Sequence, residues 1–65
     1  MNKQVNLKMK KARARRGMTQ AEVALAIKIS RSDYSKIENG HRDLKISLAC
    51  KISEFFGKSL DELFG

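Results

Sequence analysis

The side chains best suited to chemistry lie in SRSDYSKIENG, Ser30 to Gly40. At helical spacing Tyr34 and Ile37 fall on one edge, while Arg31, Ser32, Ser35 and Lys36 fall on the other. That outer set suits recognition. A guanidinium is a rigid fork of donors that pairs in bidentate fashion with two adjacent acceptors, such as O6 and N7 of guanine. An ammonium is a point charge for a base or a phosphate, and hydroxyls both donate and accept. Asp33 suits two roles, accepting from cytosine N4 or capping a helix start, and capping is favoured. Catalysis finds no comparable grouping. No Ser–His–carboxylate set, Cys–His pair, metal-ligand cluster or glycine-rich phosphate loop is present, and His41 has no partner at ligand spacing. No cofactor or small-molecule ligand is expected.

Five short helices must position these residues. Val5, Met9 and Ala12 form one apolar stripe on a basic helix that Gly17 ends. T-Q-A-E is a capping box, with Thr19 as cap and Glu22 reaching back to the cap amide. The buried face of this second helix is Val23, Ala24 and Ile27. Ser30 caps the third helix, which ends at Gly40. The fourth runs from about Ile46 to Phe56, with Ile46, Ala49, Ile52, Ser53 and Phe56 on one face, before Gly57. Ser59 and Glu62 form a second capping box ahead of a short helix ending near Phe64. No segment reads as a strand. The expected fold class is all-α.

Sixty-five residues make one domain, 1–65, with modest stability. A single cysteine, Cys50, excludes an internal disulfide and the CxxC pairs of a zinc site, so a reduced, cytoplasmic setting is expected. The longest strictly apolar run, 23–27, is far too short to span a membrane, and no apolar h-region follows the N-terminal charges. Residues 1–18 hold seven basic side chains and no acid, whereas 19–65 hold seven of each, so the excess of +7 lies on the first segment. Two readings stand: a solubilising tail, or attraction to a polyanion.

Between Gln20 and Ile37 the apolar positions suit two short helices crossing at a wide angle. Ala24 allows close approach, Ile29 plugs the turn, and Tyr34 and Ile37 anchor the second helix. A polar helix held outward this way is the plan of a helix-turn-helix module. GMTQAEVALAIKIS, followed by SRSDYSKIENGHRD and KSLDELF, resembles the Cro and phage-repressor type of regulators, the XRE family, from about Leu7 to Phe64. The resemblance implies a compact five-helix bundle of the lambda repressor-like kind. It implies a double-stranded DNA operator as partner, with Arg31, Ser32, Ser35 and Lys36 at base-reading positions. Thr19, Gln20, Asn39, His41 and Arg42 then match positions that touch phosphate. Arg13 and Glu38 match a largely buried ion pair.

Three departures stand out. Lys28 occupies the turn position usually held by glycine, and Leu44 replaces a proline. Leu25, Leu48 and Phe55 fall where helix faces are commonly polar. Leu48 and Phe55, seven apart, are expected to join Leu60 and Phe64 in a homodimer interface. A two-fold dimer sets two recognition helices one DNA turn apart, reading a near-palindrome. The expected function is a DNA-binding regulator, most readily a repressor. A protein-interaction module calls for an apolar outer face on the third helix, and a membrane-surface peptide for larger apolar residues in 1–18. The sequence has neither.

Overall fold

The computed structural model describes residues 5–40 and 44–65. Five helices follow in order: α1 (Leu7–Arg15), α2 (Gln20–Ala26), α3 (Arg31–Glu38), α4 (Ile46–Phe56) and α5 (Leu60–Phe64). No strand occurs among the described residues.

Local chemistry sets the helix limits. Asn6, Thr19, Ser30 and Ser59 each accept a backbone N–H from the first turn with a side-chain oxygen, and the Thr19–Glu22 and Ser59–Glu62 boxes are both closed. Three helices stop in the same manner. After α1, the N–H of Gly17 reaches the carbonyl of Ala14 and that of Met18 reaches Arg13. The same pair of bonds follows α2, from Lys28 to Leu25 and from Ile29 to Ala24, and follows α4, from Gly57 to Glu54 and from Lys58 to Ser53. This is the Schellman arrangement, whose turning residue is left-handed. Gly17 and Gly57 take φ of 65° without penalty, but after α2 Lys28 takes φ of 66° and carries the steric cost of a Cβ.

The core is Met9 and Ala12 from α1, Val23, Ala24 and Ile27 around α2, Tyr34 and Ile37 from α3, Ile52 and Phe56 from α4, and Leu63 from α5. Ile29 packs against it from the turn, as does Leu44 ahead of α4. Two apolar expectations are corrected. Val5 lies ahead of α1 and is exposed, because Asn6 caps the helix after it and sets the start at Leu7. Ile46 opens α4 and is 71% exposed, whereas Ala49, Ile52 and Phe56 are buried over the next three turns.

Candidate nucleic-acid interface

α2 and α3 pack against each other across the turn at Lys28. Ala24 is buried on α2, and its carbonyl takes the Ile29 N–H of the turn at 3.0 Å. α3 turns Tyr34, Ile37 and Glu38 inward, all buried, which leaves Arg31, Ser32 and Lys36 exposed. Asp33 is half-buried in the first turn, and its N–H is taken by the Ser30 hydroxyl at 3.0 Å. Ser35 differs from the other outer residues. It is half-buried and accepts a weak 3.4 Å bond from the Asn39 amide.

Behind α3 lies a polar cluster. Glu38, on the last turn, is wholly buried, yet its carboxylate receives donors from two other helices. From α1, Arg13 Nε donates to Oε2 at 2.7 Å and Nη2 to Oε1 at 3.2 Å, while Nη1 donates to the Met18 carbonyl at 3.0 Å. From α2, the Gln20 amide donates to Oε1 at 3.0 Å. Asn6 adds a backbone bond to the Glu38 carbonyl at 2.7 Å. Burial acts to raise the Glu38 pKa. The Arg13 hydrogen bonds, the adjacent Tyr34 hydroxyl, the Gln20 hydrogen bond and the Arg13 charge outweigh it and hold the carboxyl below its ordinary value. The Tyr34 hydroxyl is buried beside the carboxylate, but no hydrogen bond of normal geometry reaches it. Its pKa is pushed far up, first by burial, then by its closeness to the Glu38 carboxylate oxygens and by that group's charge.

The structure thus brings Arg13, Gln20 and Glu38 together beneath the exposed face of α3. The Thr19 hydroxyl is engaged in its capping box, and Gln20 keeps one N–H and its carbonyl oxygen for other partners. His41 and Arg42 lie outside the described residues. Leu48, Phe55, Leu60 and Phe64 are each half-buried. Phe55 meets Phe56 edge to face, and the Arg16 guanidinium lies 4.8 Å from the Phe55 ring centre and 5.6 Å from that of Phe56. Sequence reasoning missed both the Gln20–Glu38 bond and the Arg16 contact, because neither leaves a local signal. Leu25 is 80% exposed, on the side of α2 opposite Val23 and Ala24.

A polar helix fixed outward by its inner edge, next to a second helix with a capped N-terminus, defines a helix-turn-helix DNA-binding protein. Comparisons with known proteins agree. Residues 9–63 match the family described as helix-turn-helix, HTH_3. The chain is 37% identical over 57 residues to the uncharacterized HTH-type transcriptional regulator MJ0272 of Methanocaldococcus jannaschii, covering 88% of this chain and 86% of that one. It is 45% identical over 49 residues to YqaF of Bacillus subtilis, named in the same way, covering 75% of this chain and 64% of that one. No solved structure matches it. The chain belongs to the XRE-type helix-turn-helix regulator family.

Proposed function

We propose that the protein is a dimeric repressor that reads a near-palindromic operator through the major groove. The observation that carries this reading is the division of α3. Tyr34, Ile37 and Glu38 are locked inward while Arg31, Ser32 and Lys36 stand exposed. Arg31 is assigned to a guanine edge and Lys36, one turn later, to a base or its phosphate. Ser32 and Ser35 add hydroxyls, and Ser35, which accepts from Asn39, keeps its O–H to donate. Thr19, Gln20, Asn39, His41 and Arg42 supply phosphate contacts on either side, and the α2 amides reinforce them. The mode of action is binding rather than catalysis, by residues 1–65 as one domain, in the cytoplasm.

One recognition helix reads too few base pairs to single out a site in a genome, and two-fold pairing doubles the reading. Leu48, Phe55, Leu60 and Phe64 form the pairing surface in this proposal. The test is selection of bound duplexes from a randomised pool at near-physiological salt. A two-fold symmetric consensus with half-sites one helical turn apart supports the reading. Binding without enrichment that vanishes as salt rises rejects it.

A further inference from the structure

Beyond Arg13, the positive charge of the first helix has a structural destination of its own. At 100° per residue, Lys8, Lys11 and Arg15 fall on one flank of α1, about 150° round the helix from Arg13. Arg13 marks the flank that meets α3 through Glu38. The other flank, with Ala12, forms a groove of about 250 Å³ closed by Lys58 and Glu62 at the start of α5. Four cations thus surround a single carboxylate. Glu62 accepts the Ser59 N–H at 2.8 Å through one oxygen and offsets only one of the four positive charges. Lys8 donates to the Gly65 carbonyl at 2.8 Å. Neither Lys11 nor Arg15 makes an ion pair with a described residue.

We propose that this groove is a second phosphate-backbone surface, through which Lys8, Lys11, Arg15 and Lys58 grip a DNA segment away from α3. The proposal rests on the DNA-binding reading above and extends it beyond the helix-turn-helix. Charge complementarity selects the occupant. Lys8 to Arg15 spans about 10 Å of helix, which on a duplex covers roughly three nucleotide steps of one strand. The walls are lysine and arginine stems around Ala12 with the single carboxylate of Glu62, and no aromatic or large apolar anchor. A protein partner draws its affinity from such anchors, and lysine is depleted at protein interfaces. A row of flexible point charges suits phosphates.

The experiment compares two charge-matched variants, Lys11→Gln/Arg15→Gln in the groove and Lys28→Gln/Lys51→Gln outside it. Affinity for a mixed-sequence duplex several turns long is measured across a salt series, with thermal melting to verify the fold. The groove variant is expected to flatten the slope of log K against log salt by about 0.9 per cation removed, and the control to leave it nearly unchanged. Equal slopes in the two variants would reduce the effect to net charge and overturn the proposal. An unchanged DNA slope with lost binding to a poly-glutamate peptide would overturn it too, in favour of an acidic polypeptide. Repetition with a duplex of one turn separates the two sources of backbone. A groove effect at both lengths means an independent grip, and one confined to the longer duplex means flanking DNA. Because the duplex has no chosen sequence, failure to select an operator would sink the operator reading and leave this result standing.

Discussion

The Arg13 guanidinium meets the Glu38 carboxylate along two bonds, Nε to Oε2 at 2.7 Å and Nη2 to Oε1 at 3.2 Å. The pair clamps α1 to the end of α3, and the Gln20 bond to Oε1 draws in the start of α2. Three helices therefore converge on one buried charge directly behind the recognition surface. Such a cluster fixes the angle at which α3 is presented, because each donor is directional and the carboxylate has no solvent to fall back on.

Removing one partner should expose that dependence. Glu38→Ala leaves Arg13 without its counter-charge and should cost about 3–5 kcal/mol, a large part of the stability of so small a domain. Urea denaturation followed by circular dichroism reads the effect. A midpoint equal to that of the parent would show that the pair carries no structural weight.

The same cluster sets the pH response. The Glu38 carboxyl is held below its ordinary 4.5, so the unfolded chain binds its proton first as pH falls. Its contribution is fully present above 4.5 and is lost as pH drops through the lower folded-state value. Tyr34 acts at the other end. Its raised pKa keeps the phenol protonated in the fold, so stability should decline once pH passes 10.0, where the unfolded phenol ionises. Tyr34→Phe should remove that alkaline loss selectively, and melting curves across pH would reveal an unaltered profile if it does not.

Lys28 offers the opposite kind of change. Its left-handed backbone, φ 66°, suits glycine better than lysine, and its side chain is exposed. Lys28→Gly should therefore stabilise the domain by up to about 1 kcal/mol, less the greater entropy glycine gives the unfolded chain. A lowered melting temperature would mean that the lysine has a compensating contact.

The proposed DNA contacts should divide by type. Arg31→Ala should leave melting unchanged, since the side chain is exposed, and should relax preference at one base pair by about 1–3 kcal/mol. Arg42→Ala should weaken all sequences alike and reduce the salt slope. Competition between single-base operator variants distinguishes the two, and identical behaviour would defeat the assignment of base and phosphate roles.

The proposed pairing surface can be tested without disturbing the core. Leu60 is half-buried at the start of α5, so Leu60→Glu should dissociate a dimer while preserving helicity. Sedimentation velocity reads this directly. Equal sedimentation of variant and parent would move the interface elsewhere.

The sequence by itself determined the starts of α2, α3 and α5 and the ends of α1, α3 and α4. The caps at Thr19, Ser30 and Ser59 and the glycines after α1, α3 and α4 act within four residues of where they stand, so local chemistry suffices. It also determined the inner edge of α3, since Tyr34 and Ile37 are the only large apolar side chains there. The Arg13–Glu38 pairing was accessible through the family resemblance alone, because 25 residues separate the partners. Tertiary structure decided the rest. Ile46 shares the apolar periodicity of α4 yet is exposed at its first residue. Gln20 meets Glu38, Arg16 covers Phe55, and Lys58 closes the groove beside Lys11 only when separate helices are packed at particular angles. Those angles depend on side-chain volumes across the whole core, which no local spacing encodes.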